Sequence, residues 1–341
     1  MWKSTCYEIL RRHHWETASF CITHSFSTEQ ANSLQPKHLF RMKALVILNP
    51  PAVDSEKQVL LDTVSRQFAA VGIAYEIYET RKDDRLGEIV RRRLRDGFDL
   101  VVAAGGDGTV SGISDSLVGS SIPLGIIPVG TGNLIARELN IPEKVESAVA
   151  LIAGTPRRRK IDAMCIGKRA YFLNASVGIS ASVIGETTRK SKGRFGRIAY
   201  LGTTVLKVLS SKPHYLVVEV DGQAHPVRAV EVTIMNCGLL ANSFYPKGPD
   251  IRIDDGRLGV WILGMKTFWD YLRYAIGVAT GSTVESEAQF IRAEKTVNIR
   301  SHRPFPVQAD GDLIGTTPFE VAVLPGALTV LVPEKSTIAS E

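Results

Sequence analysis

Two glycine-rich stretches, each directly behind a short apolar run, constrain this chain more than any other feature. "AAGGDGTVSG" (103–112) follows "FDLVV", and "PVGTGNLIAREL" (128–139) follows "IPLGII". An apolar run bounded by glycine reads as a buried strand, and Leu134, Ile135 and Leu139 behind the second stretch have helical spacing. A strand that ends in glycine and feeds a helix exposes backbone N–H groups at a positive helix end, which suits phosphate. Gly105, Gly106 and Gly108 would let a ligand approach the backbone closely. The first stretch is not a Walker A loop, since no Gly-Lys-Ser/Thr follows, and Ser111 stands where a G-x-G-x-x-G motif needs its third glycine. Residue types alone leave a phosphate cradle and a plain Asp-Gly turn equally open. Asp107 beside a phosphate requires a cation or a hydroxyl between the two. The pair says more than either member. Neighbouring parallel strands bring both turns to the carboxyl edge of one sheet, where α/β folds hold their ligands.

The surrounding rhythm supports such a sheet. "ALVILNP" (44–50) reads as a buried strand, residues 56–70 as a helix, "IAYEIYET" (73–80) as a strand and "LGEIVRRRLRDG" (86–97) as an amphipathic helix closed by Gly97. Strands alternating with helices predict a doubly wound α/β layer. After about residue 155 the pattern changes to hairpins, turning at Gly167-Lys168 and Asp221-Gly222, with further turns at Asp255-Gly256 and Asp310-Gly311. Helical insertions are expected near 185–210 and 266–280. The predicted fold is therefore α/β plus mainly antiparallel β. Residues 1–41 form an extension, either disordered or the product of a start assigned too far upstream. Residues 42–160 form the α/β domain, 161–325 the β domain and 326–341 a last strand and tail.

Composition excludes little. At 341 residues and 44% hydrophobic, the chain can bury two cores, and its net charge of +6 singles out no partner class. The four cysteines stand far apart without metal-ligand spacing, as in a reduced cytoplasmic protein. No segment has the apolar length of a membrane span.

"GGDGTV" followed by "PLGIIPVGTGN" closely resembles the diacylglycerol kinase catalytic-domain family, which includes bacterial lipid kinases and sphingosine kinases. "LNP" near the start of the fold, "FLNASVGISASV" (172–183), "GRIAYL" (196–201), "DIRIDDGRLGVWIL" (250–263) and "VQADGD" (307–312) resemble it in the same order. The resemblance implies an α/β nucleotide-binding half and a β-sandwich half with ATP in the cleft between them. It also implies transfer of the γ-phosphoryl group to a lipid hydroxyl, with Mg²⁺ as cofactor. Gly105, Gly106, Asp107, Gly108 and Thr109 match the family's nucleotide loop, and Gly130, Thr131 and Asn133 its second loop. Asn49 belongs to the "LNP" piece, and Thr80 falls at a further nucleotide contact. Asp312 stands where bacterial members place a Glu as proton acceptor, with Asp310 as the other acid of that turn. "RIDDGRL" matches the magnesium loop, in which Asp255 would give its side chain and Arg252 and Arg257 their carbonyls. On residues alone, both acid stretches read as turns. The chain departs from the family after "GGDGT", where Val110, Ser111 and Gly112 replace a hydrophobic residue, Asn and Glu.

The expected partner is a lipid substrate met peripherally at the inner face of the membrane. A homodimer is left open, and nucleic acid is not expected, because no aromatic-basic module is found. "RKSKGRFGR" (189–197) could attract anionic headgroups, "FWDYLRYAIGV" (268–278) suits core packing, and "PRRRK" (156–160) reads as a solvated loop. Two alternatives compete with the lipid kinase. An NAD kinase shares the GGDGT element but reads "LGFL" where this chain has "IPVGTGN". A non-catalytic nucleotide- or lipid-binding protein would not need both acid turns.

Overall fold

In the computed structural model, the strand Met42–Leu48 (β1) buries its last five residues completely, as a strand covered on both faces must. The structure describes residues 42–49, 54–81, 83–181, 213–239, 251–264, 270, 273 and 288–334. The N-terminal extension, the basic stretch 189–197 and the predicted insertion near 185–210 lie outside them, as does nearly all of 266–280.

After β1 come α1 (Asp54–Val71), β2 (Ile73–Glu79), α2 (Leu86–Arg93), β3 (Leu100–Gly105), α3 (Asp107–Leu117), β4 (Leu124–Pro128), α4 (Leu134–Glu138) and α5 (Val145–Ala153). The strands are parallel in the order β2-β1-β3-β4. Alternate residues serve opposite faces. Ala44, Val46 and Leu48 pack with Leu60, Val64 and Phe68 of α1 and with Val149 and Ile152 of α5. Leu45 and Ile47 pack with Val90 of α2 and with Val110, Ile113 and Leu117 of α3. Each fully buried Leu, Val or Phe contributes roughly 1.5–3 kcal/mol. The result is the doubly wound layer that the alternation predicts.

The remaining strands are β5 (Arg157–Ile166), β6 (Arg169–Tyr171), β7 (Asn174–Gly178), β8 (His214–Val220), β9 (Gln223–Ala229), β10 (Glu231–Met235), β11 (Leu258–Leu263) and β12 (Ala288–Ala293). They are followed by β13 (Thr296–Ser301), β14 (Pro306–Ala309), β15 (Asp312–Thr316) and β16 (Phe319–Val332). The strands β12-β11-β10-β7-β14-β15 form an antiparallel sheet of six. It packs on β8, β13 and the first half of β16 through a core that includes Val177, Val232, Ile234, Val260, Val218, Val297 and Val321. This second half is a β-sandwich.

One strand joins the halves. β16 pairs with β13 at its start, shifts register between Leu324 and Leu328, and ends parallel to β4 with Val330 opposite Leu124. The two halves therefore share a ten-stranded sheet. β5 runs across residue 160 and β16 across residue 325, so both elements belong to both halves. The structure also corrects the reading of "PRRRK" as a loop. Arg157–Lys160 pair with Val332–Thr329 in the sheet, and Arg159 is held by Asp254 at 2.7 Å. A run of cations forms strand here because a neighbouring strand and a half-buried carboxylate receive it.

Candidate active site

The parallel strands place their ends together. Past each of them the ladder runs on by one hydrogen bond: Asn49 N–H donates to the Ala104 carbonyl, Thr80 N–H to Leu48 and Val129 N–H to Gly105. Side chains then cross the strand ends. Thr80 Oγ1 donates to Asn49 Oδ1 at 3.3 Å, and Asn49 Nδ2 donates to Thr109 Oγ1 at 3.1 Å. These residues, with Arg81, Asp84, Leu86, Gly106 and Gly108, line an open cleft of about 580 Å³. Thus Asn49, Thr80, Gly106, Gly108 and Thr109 share one cavity wall. Sequence reasoning missed Asp84, which accepts from Arg81 N–H at 2.8 Å and from the Tyr78 hydroxyl at 2.9 Å. The Arg81 N–H first, then the Tyr78 hydroxyl, hold its carboxyl below the usual range against some desolvation.

The two glycine turns touch. A Cβ on Gly130 would stand 2.5 Å from the Gly106 Cα, so only glycine allows this approach. Asn133, at positive φ, folds back on its own turn: Gly130 N–H donates to its Oδ1 at 3.0 Å and its Nδ2 donates to the Gly130 carbonyl at 2.8 Å. Thr131 is exposed at the tip. Gly106 caps α3 without a side-chain hydrogen bond, which leaves the first N–H groups of an eleven-residue helix facing the cleft.

Asp107 also makes a structural bond. Its Oδ1 accepts the Ile135 N–H at 3.2 Å, so the carboxylate staples the first turn to the start of α4. Asp107 thus sets the spacing of the two turns, while Gly106, Gly108 and Thr109 line the cleft.

The second half contributes the Asp310–Gly311–Asp312 turn, and here also the two acids divide their roles. Asp310 Oδ1 accepts N–H groups of Leu173 and Asn174, and Oδ2 accepts the Phe172 N–H and the Ser111 hydroxyl, all within 2.9–3.1 Å. Burial pushes the Asp310 carboxyl up, against these four hydrogen bonds. A carboxylate with both oxygens so occupied holds the turn together. Asp312, two residues on, is exposed at the start of β15, and its side chain makes no hydrogen bond or ion pair among the described residues. It is the solvent-facing acid of the pair.

Ser111, where the chain departs from the family it resembles, is the residue through which α3 grips that turn. Ser111→Ala removes one charge-assisted hydrogen bond of four and is expected to lower stability by about 1 kcal/mol. Urea unfolding measures this, and an unchanged midpoint would show that the link is not formed.

The "RIDDGRL" segment lies elsewhere. Asp162 accepts the Gly256 N–H at 2.6 Å and the Gly326 N–H at 2.7 Å, while Ala327 accepts the Gly119 N–H beyond the end of α3. The Asp255 turn thus sits toward the C-terminal end of α3. The glycine turns sit at its N-terminus, about 16 Å of helix away. The Arg252 side chain pairs with Asp254 and that of Arg257 with Glu294, leaving only their carbonyls as donors. Asp255 is exposed, and its Oδ1 accepts the Arg257 N–H. Among the described residues, no group of three or more His, Cys, Asp or Glu could hold a metal ion. One carboxylate with flanking carbonyls fits the oxygen donors that Mg²⁺ takes. An Mg²⁺ ion held by these oxygens would brace the Asp255 turn. Asn236 ties this region to the acid turn: its Nδ2 donates to the Asp162 and Phe172 carbonyls at 2.9 and 3.0 Å.

Comparison with known proteins agrees with this geometry. Residues 43–166 match the family model of the diacylglycerol kinase catalytic domain. Residues 174–332 match that of the YegS C-terminal NAD kinase beta sandwich-like domain. The chain is 25% identical over 300 residues to a diacylglycerol kinase of Bacillus subtilis, covering 86% of this chain and 97% of the relative. It is 27% identical over 296 residues to the Salmonella arizonae protein named "Probable lipid kinase YegS", covering 85% and 96%. The crystal structure of a diacylglycerol kinase from Bacillus anthracis shares the fold, with a TM-score of 0.68 at 24% identity over 85% of this chain and 97% of that one. With both halves matched in order across most of its length, the chain belongs to the diacylglycerol kinase catalytic-domain family.

Proposed function

We propose that this protein is a lipid kinase that transfers the γ-phosphoryl group of ATP to a lipid hydroxyl. The observation that carries the reading is the joining of two touching glycine turns to an acid turn from the other half through Ser111 and Asp310. Phosphoryl transfer asks mainly for positioning and charge stabilisation. The backbone N–H groups of Asp107 and Gly108 at the start of α3 suit a triphosphate, Asn49 and Thr80 line the same cleft, and Thr131 would meet the nucleotide from the second turn. Bound Mg²⁺ would neutralise phosphate charge, and Asp255 with the Arg252 and Arg257 carbonyls would hold a second, structural ion. Asp312 would accept the proton of the attacking hydroxyl.

Acceptor lipids lie in a membrane, and no helix among the described residues is long and apolar enough to cross one. The reading therefore includes peripheral contact with the inner face of the cytoplasmic membrane. An NAD kinase activity on this scaffold is the alternative that an experiment must separate. Purified protein with labelled ATP and Mg²⁺ is offered diacylglycerol, a sphingoid base, phosphatidylglycerol and NAD in parallel. Label in one of the lipids is expected. Label in NADP alone would overturn the proposal.

A further inference from the structure

The face of the six-stranded sheet turned away from the sandwich core carries a buried polar row. Ser176 of β7, Glu231 and Thr233 of β10 and Gln308 of β14 are each no more than 5% exposed. They alternate with Val177, Val232, Ile234 and Ala309, which fill the core, so they point the other way. Register sets them side by side: Ser176 lies opposite Thr233 on one side and Gln308 on the other, and Glu231 lies opposite Gly178.

Their hydrogen bonds run in one direction. Gly311 N–H, inside the acid turn, donates to Gln308 Oε1 at 3.1 Å. Gln308 Nε2 donates to Ser176 Oγ at 2.9 Å, and Ser176 stands diagonally across the strands from Glu231, whose charged form it favours. Glu231 also accepts from Thr233 Oγ1 at 3.3 Å and from Ser180 N–H at 3.1 Å. Space is made for it: Gly178 has φ +129°, and a Cβ there would stand 2.6 Å from Glu231 Oε2. Burial pushes the Glu231 carboxyl up to about 7, against the hydrogen bonds from Ser180, Ser176 and Thr233. A buried acid without a cation among these partners is a poor way to stabilise a fold, since an apolar residue would serve better. When ionised, a carboxylate at the end of a chain of donors only accepts, and so fixes the orientation of each member.

We propose that Glu231 is a positioning residue for the acid turn, acting through Ser176 and Gln308 to hold Gly311 and so to aim Asp312. The row touches neither glycine turn, so its influence falls on the acceptor side of the reaction and not on ATP. The turnover part of this inference rests on the lipid kinase reading; the structural part does not.

The test uses Glu231→Gln, which alters the end of the chain, and Gln308→Leu, which cuts its middle at similar volume. Two quantities are read on the full chain: steady-state kinetics with the accepted lipid, and deuterium uptake of the backbone across 308–313. Each variant is expected to raise uptake at the turn while uptake across β11 stays as in the wild type. Each should lower kcat about tenfold with KM for ATP within about twofold, the signature of misplaced chemistry and not of lost binding. The double variant should be no slower than the slower single one, because both break one chain. Unchanged uptake at the turn in both variants would overturn the inference, even if the wild-type protein transferred no phosphoryl group. Absence of wild-type transfer alone would count against the lipid kinase reading.

Discussion

Replacing Asp312 with Asn is expected to cut turnover by about a hundredfold or more while leaving the dissociation constant for ATP within about twofold of the wild type. Asp312 is the exposed acid of its turn and lies in the half of the molecule that carries no glycine loop. An Asn keeps the size and the turn but cannot accept a proton from an attacking hydroxyl. Asp310 cannot take over, because its two oxygens already accept four hydrogen bonds. Calorimetric titration with ATP and steady-state kinetics on the same preparation separate the two effects. A variant that turns over at the wild-type rate would remove Asp312 from the chemistry.

The second large effect is expected at the contact of the glycine turns. Gly130→Ala would bring a methyl group to 2.5 Å from the Gly106 Cα and 2.8 Å from Asn133 Oδ1, and the first of these is backbone that cannot swing aside. The turns must part, with a loss of roughly 2–3 kcal/mol in stability, the size of an overpacked core. ATP affinity should fall at least about thirtyfold, because a 1 Å misplacement of donors already removes most of their value. Gly108→Ala is the informative contrast. A Cβ there meets nothing within 4 Å, so thermal stability should hold while the methyl group obstructs the incoming phosphates. Equal stability of Gly130→Ala and wild type, measured by thermal unfolding, would show that the turns do not pack as described.

The α/β half was legible because its signals are local. Apolar runs, glycines at strand ends and helical spacing behind them are contained within windows of a dozen residues, and the observed β1 to α4 follow them closely. The hairpins at Gly167 and Asp221 were legible for the same reason. What the sequence withheld is contact across long separations. Ser111 and Asp310 stand 199 residues apart, and nothing in the string "TVSG" announces a partner in "ADGD". The same holds for Asp107, whose bond to Ile135 across to the second turn has no mark in the string. The arginines of "PRRRK" look solvated until β16 returns beside them. The shared sheet follows from that return, and only tertiary structure reveals how one strand serves both halves.

The central claim is that these turns form one phosphoryl-transfer centre with a lipid acceptor. Vesicles containing a neutral lipid with a free hydroxyl, γ-labelled ATP and Mg²⁺ test it most directly, with label followed into the organic phase. The account predicts organic-phase label that grows in proportion to wild-type protein and nearly vanishes with Asp312→Asn. Tight ATP binding without label in any hydroxyl-bearing lipid, or with label confined to NADP, would contradict it.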